Sequence, residues 1–213
     1  MILLARVETL SRIIEAIKGR LDELDSVRNE AIKLSREVIR LSGWSITEIH
    51  KGDNDKASAY LEECREAAVK LLSMVKPYPE LYYSGFVYNA VSEYVEAELF
   101  YRIITGSIIP GPGELGVPDV PYLQGLGDVV GELRRHILDL LSRRRVAEAE
   151  ELLAWMDSIL RELKALDYPD AMVPGVRRKA DVARRLVEET KALLVDLKTR
   201  YELIDRLDCG GAR

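Results

Sequence analysis

Glu93 and Glu96 lie three residues apart in a stretch, Ser84 to Gly106, that holds no proline and is apolar round most of a helical wheel. Val87, Val91, Tyr94, Val95, Leu99 and Ile103 leave only a narrow polar strip around Glu98 and Arg102. Such a helix belongs in the middle of a bundle. The wheel neighbours of the two acids are Phe86, Ala97, Phe100 and Ile104. Carboxylates on such a face cannot both stay ionised unless cations, hydrogen-bond donors or a metal meet them there. A second acidic pair, Asp128 and Glu132, follows four residues apart on a later helical segment. Oxygen-only donors suit Mg²⁺, or Mn²⁺, better than zinc. A magnesium ion so held polarises a phosphoryl oxygen and activates water, the core of metal-assisted phosphodiester cleavage. The spacing makes each pair contiguous on its own helix but leaves open whether the two helices face each other. The stripe Asp128, Glu132, Arg135, Asp139 taken alone reads as a solvent face, with His136 at its edge.

The elements that must position these acids are all helical. Apolar residues recur at helical spacing from about Leu3 to His50, predicting one very long amphipathic helix with Gly19 and Gly43 as the places for a bend. Its polar face carries Arg28, Lys33, Arg36 and Arg40. A turn at Lys51–Asp55 offers Asp53 or Asp55 as the cap of a helix from Lys56 to about Val75. Lys76-Pro-Tyr-Pro-Glu then breaks the chain before the acid-bearing helix. A proline- and glycine-rich loop from Ile108 precedes a helix from about Pro121 to Arg144. Two more helices follow, from Val146 to about Leu166 and from Val176 to about Leu207. The expectation is one all-α domain over 1–208, a bundle of six or seven helices with a long N-terminal helix, and a frayed tail at 209–213. The repeating apolar edge of the first helix predicts self-association.

Composition narrows the function. The 213 residues are 47% hydrophobic and 31% charged, a folded soluble composition, and the formal charge of −5 is not that of an overall basic nucleic-acid binder. Cys64 and Cys209 are too few for a disulfide framework or a cysteine metal site, which fits a reducing, cytoplasmic setting. The opening Met1-Ile-Leu-Leu-Ala is short for a signal peptide, and no apolar run is long enough to span a membrane. A di-iron carboxylate site would want Glu-x-x-His on two helices, and neither His50 nor His136 follows a glutamate by three. No P-loop, dinucleotide turn, nucleophile elbow or Cys-x-x-Cys pair is present. Two basic patches, Arg134-Arg135 with Arg143-Arg-Arg145 and Arg177-Arg-Lys179 with Arg184-Arg185, suit either phosphate or ordinary helix-end pairing.

Glu93-Tyr-Val-Glu-Ala97 with Phe100, followed by Tyr122-Leu-Gln-Gly-Leu-Gly-Asp128-Val-Val-Gly-Glu-Leu-Arg-Arg135, resembles translin and translin-associated factor X (TRAX). Lys33-Leu-Ser-Arg-Glu37 and Ile49-His-Lys-Gly52 are similar to that family's first helix, and the helical order matches over nearly the whole chain. The acids follow the TRAX-like branch, which implies a Mg²⁺-dependent endoribonuclease acting on single-stranded RNA. Glu93, Glu96 and Asp128 are then catalytic and metal-holding, Glu132 is a fourth metal participant, and Arg36 and Arg135 bind phosphates. The connection from the glutamate pair to Asp128 is much shorter than in the family, and a glycine-rich nucleotide motif of translin is not recognisable. The resemblance also implies an octamer-like homo-oligomer or a hetero-oligomer with a paralogue. The alternative it carries is a non-catalytic oligomeric binder of single-stranded RNA or DNA.

Overall fold

The computed structural model describes the backbone of residues 2–210, and the side chains of 7–204, 206 and 207. Eight helices follow one another among them, with no strand. α1 (Ile2–Lys51) runs through Gly19 and Gly43 without a break in helical structure and is about 75 Å long at 1.5 Å per residue. Only its second half is built into the protein. Val7, Leu10, Ile13, Ile14, Ile17 and Leu21 are all exposed, whereas Ala31, Leu34, Val38, Leu41, Ile46 and Ile49 are buried.

α2 (Asn54–Val75) turns back along α1, and Asp53 caps it by accepting from the Lys56 N–H at 3.2 Å. The break that follows holds a single turn, α3 (Pro79–Tyr82). α4 (Gly85–Ile104) is the buried axis predicted by its composition, packed on α1, α2 and α6. Val87, Ala90, Val91, Tyr94, Val95, Ala97, Leu99, Phe100 and Ile103 are all in the core.

The loop after α4 contains a further turn, α5 (Pro112–Leu115), closed by Gly116 at φ 68°. Glu114 folds back to accept from the Gly111 N–H at 2.7 Å. α6 (Asp119–Ser142) therefore starts two residues before Pro121, because a proline in the first turn lacks only an N–H that has no helical partner anyway. α6 packs on α4, α7 (Val146–Lys164) and α8 (Val176–Gly210), so α4 and α6 form the central pair. The six long helices match the expected bundle, and the two single turns fill the proline-rich breaks. α8 continues through Cys209 and Gly210, where a frayed tail was expected, and the rest of that tail lies outside the described residues.

Candidate metal and phosphate site

Two glycines set the geometry of the acids. At Gly125 an added Cβ would lie 2.5 Å from the Ser92 carbonyl oxygen and 2.8 Å from Val95 Cβ, so only glycine lets α6 approach α4 this closely. Asp128 comes one turn later on α6 and Glu132 one turn after that, while Glu93 and Glu96 flank the contact on α4. Gly127 plays the same part towards α8, where a Cβ would meet Lys179 Cβ at 2.8 Å. The lysine stem is thus seated across α6, and its amine pairs with both carboxylate oxygens of Asp128.

Burial and the charges of Asp128 and Glu132 on α6 act on both glutamates of α4. Burial pushes the Glu96 carboxyl up to about 9, and the charges of Asp128, Glu93 and Glu132 add to that rise while Lys179 opposes it. Glu93 is raised as well, by burial first and then by Asp128, with Lys179 opposing and Glu132 adding. Neither glutamate forms an ion pair or hydrogen bond with another described residue. The contrast with their helical neighbour is direct: Glu98, 7% exposed, receives a hydrogen bond from Arg102 Nε at 2.8 Å.

Glu132 is held from the other side. His50 Nε2 donates to Glu132 Oε2 at 2.6 Å, and the side chain of His50 is 7% exposed. Its ring lies 5.1 Å from that of Phe100 and 5.7 Å from that of His136. Both histidines keep a buried Nδ1 with no partner, and both line a cavity of about 380 Å³ with Asp139 and Arg143. Burial lowers the pKa of His136.

Of the residues singled out by sequence, Glu93 and Glu96 stand on α4 and Asp128 and Glu132 on α6, two helices packed on each other. The polar stripe on α6 divides: Asp128 and Glu132 are half-buried, while Arg135 and Asp139 face solvent. Arg135 stays linked through Glu132, at 3.9 Å. Arg36 is exposed on α1, and no interaction ties it to the acids. Lys179 and His50 were missed as partners of the acids, although both stand in motifs visible in the sequence. Their separations from Asp128 and Glu132, 51 and 82 residues, leave no local signal.

Carboxylate oxygens are the donors a hard divalent cation takes, and those of Glu93 and Glu96 have no partner. No three His, Cys, Asp or Glu side chains among the described residues stand as a ready ligand sphere. Lys179 occupies the oxygens of Asp128 that such a sphere would use.

No family model matches the chain. An uncharacterised protein of Methanocaldococcus jannaschii, MJ0175, is 35% identical over 185 residues, covering 86% of this chain and 82% of that one. The solved structure of AfC3PO in complex with duplex RNA superposes with a TM-score of 0.82 at 34% identity, over 88% of this chain and 97% of that one. A crystal structure of AfC3PO gives 0.81 at 34% identity over the same shares. The structure of apo-NeC3PO gives 0.79 at 25% identity, over 86% of this chain and 96% of that one. C3PO is the translin/TRAX complex. At 34% identity to AfC3PO over 88% of its own length, and with the same overall fold, the chain belongs to the translin/TRAX family.

Proposed function

We propose that this chain is an RNA-binding protein of the TRAX-like branch and a Mg²⁺-dependent endoribonuclease. What supports the reading is that Glu93 and Glu96 on α4 feel the charges of Asp128 and Glu132 on α6 while neither has an arginine as partner. RNA as the polymer is supported by the 34% identity to AfC3PO, which was solved with duplex RNA. Magnesium, with manganese as its substitute, supplies charge stabilisation at a phosphoryl oxygen and a more acidic water when bound.

The chain's own residues do the rest. Glu93, Glu96 and Asp128 hold the cation, and Glu132 joins them while His50 fixes the direction of its carboxylate. Arg135, anchored by Glu132, places backbone phosphates without reading base sequence, and Arg36 does so from the surface of α1. The exposed apolar residues of α1 from Val7 to Leu21 support self-association into a larger shell, or pairing with a paralogue.

A labelled single-stranded RNA and its duplex, each incubated with Mg²⁺ or EDTA, test the activity. Cleavage with Mg²⁺ alone, lost in Asp128→Ala, is expected. RNA that is retarded but intact in both conditions would leave the second reading, an oligomeric binder of single-stranded RNA or DNA. The Lys179–Asp128 pair is the observation that favours that reading, since it neutralises one acid without a metal.

A further inference from the structure

We propose that the cavity between the ends of α1, α4 and α6 and the start of α7 is a nucleotide pocket, in which His50 and His136 hold the edge of one nucleobase and Arg143 its phosphate. The inference deepens the RNA-binding part of the function proposed above and does not depend on a metal site. The base comes from a free nucleotide or from an unpaired position of an RNA strand.

The floor of the cavity carries the first argument. His50 spends Nε2 on Glu132, which is not among the residues lining the cavity, so the ring offers the cavity its Nδ1 edge. The His50 side chain is 7% exposed, and its Nδ1 is buried without a partner among the described residues. Nδ1 of His136, on the same lining, is buried and unpartnered too. An imidazole that donates through Nε2 keeps a lone pair at Nδ1 when neutral, so His50 asks for a donor. Burial favours the neutral form of His136, which presents a donor or an acceptor at Nδ1 according to its tautomer. A ligand with a donor and an acceptor side by side satisfies both rings. Two nitrogens on an apolar floor are fewer partners than the roughly three a buried water takes.

The second argument concerns which ligand fits. The walls are the buried side chains of Ile49, Ile103, Leu140 and Leu152. A carboxylate or a phosphate has acceptors only and gives nothing to His50, and an ammonium has donors only. A bare sugar would set its hydroxyls against aliphatic carbon. A nucleobase carries a donor and an acceptor on one edge of a ring whose faces are apolar. The volume, about 380 Å³, is near the lower end of small-ligand sites and suits one nucleotide. At the rim Lys51 is paired with Glu48 and Arg145 with Glu148, whereas Arg143 has no ion pair with another described residue. Its guanidinium is therefore the rim cation available to a phosphate. Asp139 and Glu151 share that rim, so it suits a single phosphate at Arg143 and not a run of them.

Titration calorimetry on the full chain in EDTA, with the four nucleoside monophosphates and with ribose 5-phosphate, tests the pocket. At least one mononucleotide should bind, and ribose 5-phosphate should not compete with it. His136→Phe keeps the bulk of the ring and leaves one polar group of the base unpaired, so affinity should fall at least about fivefold. Leu152→Phe fills the cavity from α7 and leaves both histidines in place; it should do the same, and serves should the first variant fold poorly. Arg143→Ala should weaken the mononucleotide but not its nucleoside. Short RNA duplexes with and without an unpaired 3′ nucleotide identify the source. Both cavity variants losing affinity for the overhang alone assigns the pocket to RNA, and both duplexes binding as in wild type assigns it to free nucleotides. Mononucleotide binding that is absent, that ribose 5-phosphate matches, or that neither cavity variant alters overturns the inference. Mononucleotide binding by a wild-type protein that retains no RNA would instead overturn the RNA-binding reading and support the pocket.

Discussion

Glu96 and Glu98 stand two residues apart on α4, both largely out of water, and the fold treats them in opposite ways. Glu98 is satisfied within its own helix by Arg102, one turn on. Glu96 has no such partner and is surrounded by Asp128, Glu93 and Glu132, which together with burial push its carboxyl up to about 9. A local cation is evidently easy to supply on this helix. The face that lacks one is on the side that meets α6 at Gly125. The difference separates an acid satisfied within its own helix from acids that the proposed function uses, and it can be broken from either side.

The largest effect should come from the available acids. Glu93→Ala or Asp128→Ala is expected to reduce Mg²⁺-dependent RNA cleavage by at least about 100-fold, beyond what loss of an outer partner such as His50 would do. Circular dichroism should show the helices intact.

Next in size is the stability split between the two glutamates. Arg102→Ala strands a buried carboxylate and should cost about 2 kcal/mol, less than a fully buried pair because Arg102 is partly exposed. That corresponds to a melting temperature lower by roughly 4–8 °C for a chain of this size. Glu96→Gln should do the reverse in metal-free protein at pH 8, stabilising it by about 2 kcal/mol.

The sign follows from the proton balance. Glu96 is raised in the folded state from an ordinary 4.5 to about 9, so between those values the folded protein binds more protons than the unfolded one. Metal-free stability therefore falls as pH rises from about 5 to 9, and below 4.5 this group contributes nothing. Chemical denaturation in EDTA across that range should show the slope in wild type and a flatter profile in Glu96→Gln. Added Mn²⁺ should flatten the wild-type profile too, since the bound ion favours the charged carboxyl.

The smallest effects separate two glycines of α6. Gly125→Ala places a methyl group 2.5 Å from a backbone oxygen of α4 and should destabilise by about 1–3 kcal/mol while weakening Mn²⁺ binding. Gly131→Ala meets nothing within 4 Å and should stabilise by about 0.5–1 kcal/mol with no change in metal affinity. Thermal melts and Mn²⁺ titrations on the two variants check both.

These contrasts also mark what the sequence could reveal. The helices were legible because their apolar periods are long and their breaks carry proline and glycine. The acid pairs were legible because Glu93 with Glu96, and Asp128 with Glu132, are neighbours on their own helices. Their meeting was not, since it depends on the contact at Gly125, where a small residue matters only against a particular stretch of another helix. Lys179 read as part of a basic patch at the start of α8, and nothing near it in the chain pointed to Asp128. Arg36 stands exposed on α1, and a cation on a polar helix face says nothing about which other elements that face overlooks. The shift of the α6 start from Pro121 to Asp119 reflects how well a first helical turn accommodates proline.

The most direct measurement is Mn²⁺ binding, by titration calorimetry or electron paramagnetic resonance, to wild type, Glu96→Gln and Glu98→Gln at pH 8. Wild type and Glu98→Gln should bind the ion alike, and Glu96→Gln should bind it at least about tenfold more weakly. Equal affinity in all three proteins, or no binding by any, would contradict a cation site at the α4–α6 contact.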